Sequence, residues 1–144
     1  MLRIYLDNCC FNRPFDNQAG IRVKLETDAK LYVQLMIKLG SIELAWSYIL
    51  DFENNANPFA ERKNTIANWK NLAIIDVEEN DHILATAVEL SKIGLKAKDA
   101  LHISCAIQSK SIYFLTTDDQ LLKKANNFTD IRVLNPVDFI KIIA

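Results

Sequence analysis

Residues 2–14, LRIYLDNCCFNRP, decide how the chain is read: an apolar run from Leu2 to Leu6 ends in Asp7, and small and polar residues follow at once. The run is too apolar to be exposed on both faces and lacks helical punctuation, which predicts a short strand, central in a sheet. A carboxylate where a buried strand breaks into a loop is costly unless positive charge sits opposite, because an unpaired buried carboxylate would sooner take up a proton. Asp7 is therefore read as one ligand of a metal site. Glu53, Asp99 and Asp118, each beside an apolar segment, are its candidate partners.

Beyond this stretch, strand-like and helix-like segments alternate. Arg22 to Leu39 carries apolar residues at broadly helical spacing (Val23, Leu25, Leu31, Val33, Leu35, Met36) and meets a stop at Gly40. Ile42–Trp46 reads as a second strand, with Ser47 as N-cap of a helix that carries Glu53. A helix over Phe59–Leu72, a strand over Ala73–Val77, a helix over Asp81–Ile93 ending at Gly94 and a buried helix over Lys98–Gln108 follow. Ser111–Leu115 is a fourth strand, Asp118–Ala125 a short helix and Ile131–Leu134 a fifth strand, and Pro136 opens a terminal helix through Ile143. Such alternation implies βαβ units with right-handed crossovers. The expected architecture is a single α/β domain over 1–144, a three-layer fold with a central, mainly parallel five-stranded sheet flanked by helices. Sites in such sheets form beyond the carboxyl ends of strands, where Asp7 and Asp118 fall and which Glu53 and Asp99 can reach from helices.

With 144 residues, 50% hydrophobic and 24% charged, the chain suits one ordinary domain with a full core. Its three cysteines are an odd number without a CxxC spacing, which argues against a disulfide framework or a zinc site and for reduced thiols. No signal peptide and no stretch of roughly 20 apolar residues is found, so a soluble, cytoplasmic protein without a membrane segment is expected. A net charge of -1 advertises no global basic field for nucleic acid.

Hard divalent cations such as Mg2+ and Mn2+ prefer carboxylate oxygens, and clustered carboxylates tolerate one another when such a cation neutralises them. One or two such ions can activate water for in-line attack on a phosphodiester without a protein nucleophile. The segments LDNCCFNRP, WSYILDFENNANP, KDALHISCAI and LTTDD, in that order, resemble the motifs of the PIN-domain ribonucleases over nearly the whole chain. The resemblance implies that Asp7, Glu53, Asp99 and Asp118 bind magnesium or manganese for RNA cleavage. It also implies a VapC-like toxin of a type II toxin-antitoxin pair, a homodimer held inactive by a cognate antitoxin.

Asp51 and Glu53 lie on one helical stretch, and residues two apart point roughly 200° from each other, so they cannot share a role. Glu53 is preferred, because its distance from Ser47 looks like the family's. On the substrate side the candidates are Asn8, where the family often has threonine or serine, Arg13 at the mouth of the site, and Thr116, which would hydrogen-bond a ligand carboxylate. Arg62, Lys63 and Lys70 are further cations that could meet an RNA backbone, although most such residues are ordinary surface. His102 is expected to be a partly buried, hydrogen-bonded residue rather than a ligand, since hard metals do not favour imidazole. Asp119 reads as a solvated helix-start charge, Trp46 and Trp69 as packing residues, and Cys9 and Cys10 as loop or packing residues. Two other readings compete: a PIN-like module that binds RNA or a protein partner without cutting, and a receiver-like phosphotransfer domain. The latter calls for a pair of adjacent N-terminal aspartates, and this chain has one.

Overall fold

The computed structural model describes residues 1–144. Five strands, β1 (Arg3–Leu6), β2 (Glu43–Ser47), β3 (Ile75–Val77), β4 (Tyr113–Leu115) and β5 (Arg132–Leu134), form one sheet in the order β3-β2-β1-β4-β5. Every neighbouring pair is parallel. In β1 the consecutive residues Ile4, Tyr5 and Leu6 are all fully buried. Because successive side chains of a strand point to opposite faces, helices must cover both sides of the sheet. β1 is the central strand, as its uninterrupted apolar run predicts.

Eight helices connect and flank the strands: α1 (Asn8–Asn12), α2 (Ile21–Lys38), α3 (Tyr48–Asn55), α4 (Ala60–Trp69), α5 (Asp81–Lys92), α6 (Ala97–Gln108), α7 (Asp119–Lys124) and α8 (Pro136–Ile143). Their ends follow local rules. Ser47, Asn80 and Asn135 accept backbone N–H bonds as N-caps of α3, α5 and α8. Gly40 (φ 77°) and Gly94 (φ 104°) take the left-handed conformation just past α2 and α5. No helix is long and apolar enough to cross a membrane.

One expectation needs correction. The segment after Asp7 is not a loop but α1, followed by a 3-10 turn over Arg13–Phe15. Asp7 itself starts this helix: its side chain accepts from Asn8 N at 2.8 Å, and its carbonyl accepts from Cys10 N at 2.9 Å. Phe11 then packs edge-on against Trp46, with ring centroids 5.3 Å apart. The helix α2 forms as its spacing predicts, with an unexpected distribution of its side chains. Leu25, Leu31 and Leu35, which mark it as helical in the sequence, are exposed, whereas Glu26, Thr27, Lys30 and Gln34 are buried. Ile21, Leu25, Tyr32, Leu35 and Leu39 make an outward apolar stripe at heptad-like spacing.

Lys30 has 2% of its surface exposed and no carboxylate partner; its Nζ lies 5.2 Å from the Phe11 ring centroid and 5.5 Å from that of Trp69. Burial pushes its pKa down to about 7, the Cys10 thiol opposing and Lys38 adding to the shift. Below pH 7 the ammonium is charged in both states and the full burial cost applies. Between pH 7 and 10.5 the unfolded chain holds the extra proton, so stability rises with pH across that window. Lys30→Met is expected to be more stable at pH 7 by about 1–3 kcal/mol and to lack this rise. Urea denaturation of both proteins at pH 7 and pH 9 checks it: parallel pH dependences would show that Lys30 stays charged on its aromatic faces.

Candidate metal centre

A parallel sheet sets the carboxyl ends of β1, β2 and β4 along one edge, and the acidic residues arrive there by different routes. Asp7 follows β1 directly, Glu53 stands on α3, Asp99 lies in the first turn of α6, and Asp118 caps α7 after β4. All four line one cleft of about 500 Å3 together with Asn8, Cys9, Lys96 and Lys98.

Asp7 is held at every oxygen. Its Oδ2 accepts from Thr116 Oγ1 at 2.8 Å and from the Cys9 thiol at 3.5 Å, while Oδ1 accepts from Asn8 N. Thr116 is fully buried, and its Oγ1 also accepts from Asp118 N at 3.1 Å. One hydroxyl thus ties the first aspartate to the loop that carries the last. Asp118 uses Oδ1 to accept from Gln120 N and Leu121 N at 2.9 and 3.2 Å.

On α3 the two acidic residues diverge. Asp51 accepts from Trp46 Nε1 at 2.9 Å and pairs with Lys70 at 3.0 Å, away from the cleft, and Glu53 turns toward α6. There Glu53 Oε1 is hydrogen-bonded to His102 Nε2, which also lies 3.9 Å from Asp7 Oδ1. The His102 ring is 1% exposed, and its Nδ1 is bonded to the Tyr5 hydroxyl at 2.6 Å. That hydroxyl in turn meets Ser47 Oγ at 2.6 Å, and the Tyr5 ring stacks on Phe114 at 5.3 Å. His102 is buried and hydrogen-bonded as expected, but its partner is the acidic cluster itself. One ligand atom from each of Asp7, Glu53 and His102 falls within 4.8 Å of the others.

The charges are unevenly compensated. For Glu53 burial acts upward, but the hydrogen bond and charge of His102, with Lys98, outweigh it and hold the carboxyl below its ordinary range. Asp99 is pushed upward, first by burial and then by the charges of Asp7 and Asp118. Carboxylates that raise one another in this way form a site with surplus negative charge. The oxygen-rich donor set fits a hard divalent cation.

Arg13 does not reach the cleft. Its guanidinium is taken by Glu26, at 2.9 and 2.8 Å, and by Asp16 at 3.1 Å, so it braces the segment behind Asp7 instead of offering charge to a substrate. Arg62 binds the Phe15 carbonyl at 2.7 Å and stacks over Phe59, and Lys70 pairs with Asp51 and Asp76. Thr116 serves Asp7, and Asn8 lines the cleft while its Oδ1 accepts from Asn12. Asp119 is exposed but not simply solvated: Arg22 grips both its oxygens at 2.7 and 2.8 Å and donates to the Thr117 carbonyl at 3.1 Å. The cations at the cleft are Lys96 and Lys98, which sequence reasoning passed over; their signal was their place just before Asp99 in the run Lys96-Ala97-Lys98-Asp99. Cys9, read as a loop or packing residue, also faces the cleft.

Comparison with known proteins bears on the fold and the family. Among solved structures, FitAcB from Neisseria gonorrhoeae superposes with a TM-score of 0.59 at 19% identity, over 92% of this chain and 97% of that one. VapBC2 from Rickettsia felis, bound to a DNA fragment from their promoter, gives 0.57 at 15% identity, over 94% and 98%. At such identities the likeness is one of fold. Comparison with curated protein sequences finds no significant match. The family model of the PIN domain matches residues 4–127, a span that takes in all four cleft carboxylates, and the chain belongs to the PIN domain family.

Proposed function

We propose that the chain is a metal-dependent endoribonuclease that hydrolyses RNA phosphodiester bonds, the VapC-like toxin of a type II toxin-antitoxin pair acting in the cytoplasm. The observation that carries this reading is the meeting of Asp7, Glu53, Asp99 and Asp118, from four separate parts of the chain, around one open cleft. These residues would hold Mg2+ or Mn2+. When bound, such an ion supplies an activated water for in-line attack and positive charge for the departing oxygen. Thr116 and Asn8 N keep the Asp7 carboxylate aimed into the cleft. Lys96 and Lys98, just before Asp99, take the phosphate-contacting role that the sequence suggested for Arg13.

A protein partner is supported by the α2 stripe, whose leucines would otherwise stay in water. The likeness to VapBC2 favours an antitoxin among the partners of this chain, and a homodimer is part of the same reading. The test is cleavage of an RNA containing both single-stranded and stem segments with added Mg2+ or Mn2+. Activity is expected to vanish with EDTA and to return when the ion is restored in excess. An intact RNA with either ion, despite measurable Mn2+ binding, would favour the module that binds without cutting.

A further inference from the structure

We propose that the cavity enclosed by α2, α4 and the turn after α1 binds a small aromatic carboxylate, its anionic head on Lys30 and its ring against Trp69. The cavity holds about 420 Å3, within the range of small-molecule sites. It shares no lining residue with the acidic cleft. None of Ile21, Leu25, Tyr32, Leu35 and Leu39, the outward stripe of α2, lines it either, so it is also separate from the face that would take a protein partner.

Lys30, Gln34 and Lys38 follow one another at intervals of four along α2 and so share one helix face. All three line the cavity. Lys30 is 2% exposed, and its Nζ makes no hydrogen bond or ion pair within the chain. Gln34, one turn further on and also buried, likewise has no side-chain partner, and its amide offers a second donor on the same wall. No acidic residue lines the cavity.

A buried polar group without a partner is costly, and a buried ammonium is more so. The ring faces of Phe11 and Trp69, at 5.2 and 5.5 Å from Nζ, offset part of that cost but leave the positive charge unneutralised. What this wall lacks is an anion small enough to enter, because so buried a nitrogen is reached only from inside the cavity. Lys38 stands at the exposed rim with its Nζ 5.3 Å from the Trp69 ring, and its charge favours the same sign of ligand. Phe11, Phe15 and Trp69 give the apolar surface that a planar body covers. A carboxylate fits better than a phosphate, since one negative charge matches the single buried ammonium and a second would be left among apolar walls.

The experiment titrates the whole chain, by calorimetry and by NMR of 15N-labelled tryptophan, with benzoate, 2-naphthoate and indole-3-acetate, each beside its uncharged amide. At least one carboxylate is expected to bind about tenfold or more tightly than its amide and to shift the Trp69 indole N–H signal. Trp46, whose Nε1 is held by Asp51 on the other side of the chain's core, serves as the internal control. Lys30→Met, which should fold at least as well as wild type, is expected to bind the carboxylate no better than the amide; Lys38→Met should weaken it less. Equal affinity for acid and amide overturns the recognition of charge, and carboxylate binding that survives Lys30→Met overturns the role of Lys30. Absence of binding by all three carboxylates, or binding that leaves the Trp69 signal in place, overturns the site.

Discussion

Asp7→Asn is expected to lower RNA cleavage by at least about a hundredfold while the fold remains, a loss of roughly 3 kcal/mol of transition-state stabilisation. The separation follows from the two tasks of this side chain. As N-cap of α1 it needs only an oxygen that accepts from Asn8 N, and asparagine is among the best N-caps. As part of the centre it needs charge, which asparagine lacks. Asp99→Asn should act likewise on cleavage but differently on the metal-free protein. Burial and the charges of Asp7 and Asp118 raise the Asp99 carboxyl in the folded state, so its ionisation costs stability as pH climbs past its unfolded value. Removing that charge should raise the melting temperature without metal, and abolish the further rise that Mn2+ gives wild type by binding the native state. Thermal melts with and without Mn2+, alongside cleavage gels, measure both effects. Cleavage at the wild-type rate by both variants would refute the assignment.

Glu26→Ala is expected to be the most damaging substitution for stability, at about 3–5 kcal/mol. Glu26 is 1% exposed on α2 and binds Arg13, Arg22 at 3.2 Å and the Asn135 amide. Through Arg13 it braces the turn after α1, and through Arg22 it reaches Asp119 and the Thr117 carbonyl beside Asp118. Loss of the carboxylate leaves Arg13 in a half-buried position with Asp16 as its remaining anion. A fall in melting temperature of about 10 °C follows from that energy for a chain of this size. Glu26→Gln, which keeps one accepting oxygen and the side-chain volume but turns an NH2 toward donors on the other side, should lose less. Differential scanning calorimetry of the two variants checks the order, and equal small losses would mean that the network is surface decoration.

The parts of this architecture that depend on one segment at a time were legible in the sequence. The apolar run of β1, the Ser47 cap and the stops at Gly40 and Gly94 need nothing beyond their neighbours, and they place Asp7, Glu53, Asp99 and Asp118 at the ends of the right elements. What was not legible depends on residues that meet only in the folded sheet. The bearing of His102 is set by Tyr5 on β1 and Ser47 beyond it on β2. Arg13 was misread because its partner, Glu26, looks like a surface residue until the inward face of α2 is known to be polar. The apolar spacing of α2 identified a helix but not its inward face, since a periodic stripe does not say whether core or partner will cover it. The five residues of α1 were too few to show a period at all.

The position of β1 has a temporal consequence. It is the first strand made, yet its two neighbours are β2 and β4, and the second of these arrives only with residues 113–115. Pairing across so long a stretch of chain is slow, because the loop must close before the contact rewards it. A chain that ends before β4 therefore carries Asp7, Glu53 and even Asp99 but has neither Thr116 to aim the first nor Asp118 to complete the set. The four-carboxylate cleft is thus complete only once residues 113–118 have joined β1, late in the growth of the polypeptide.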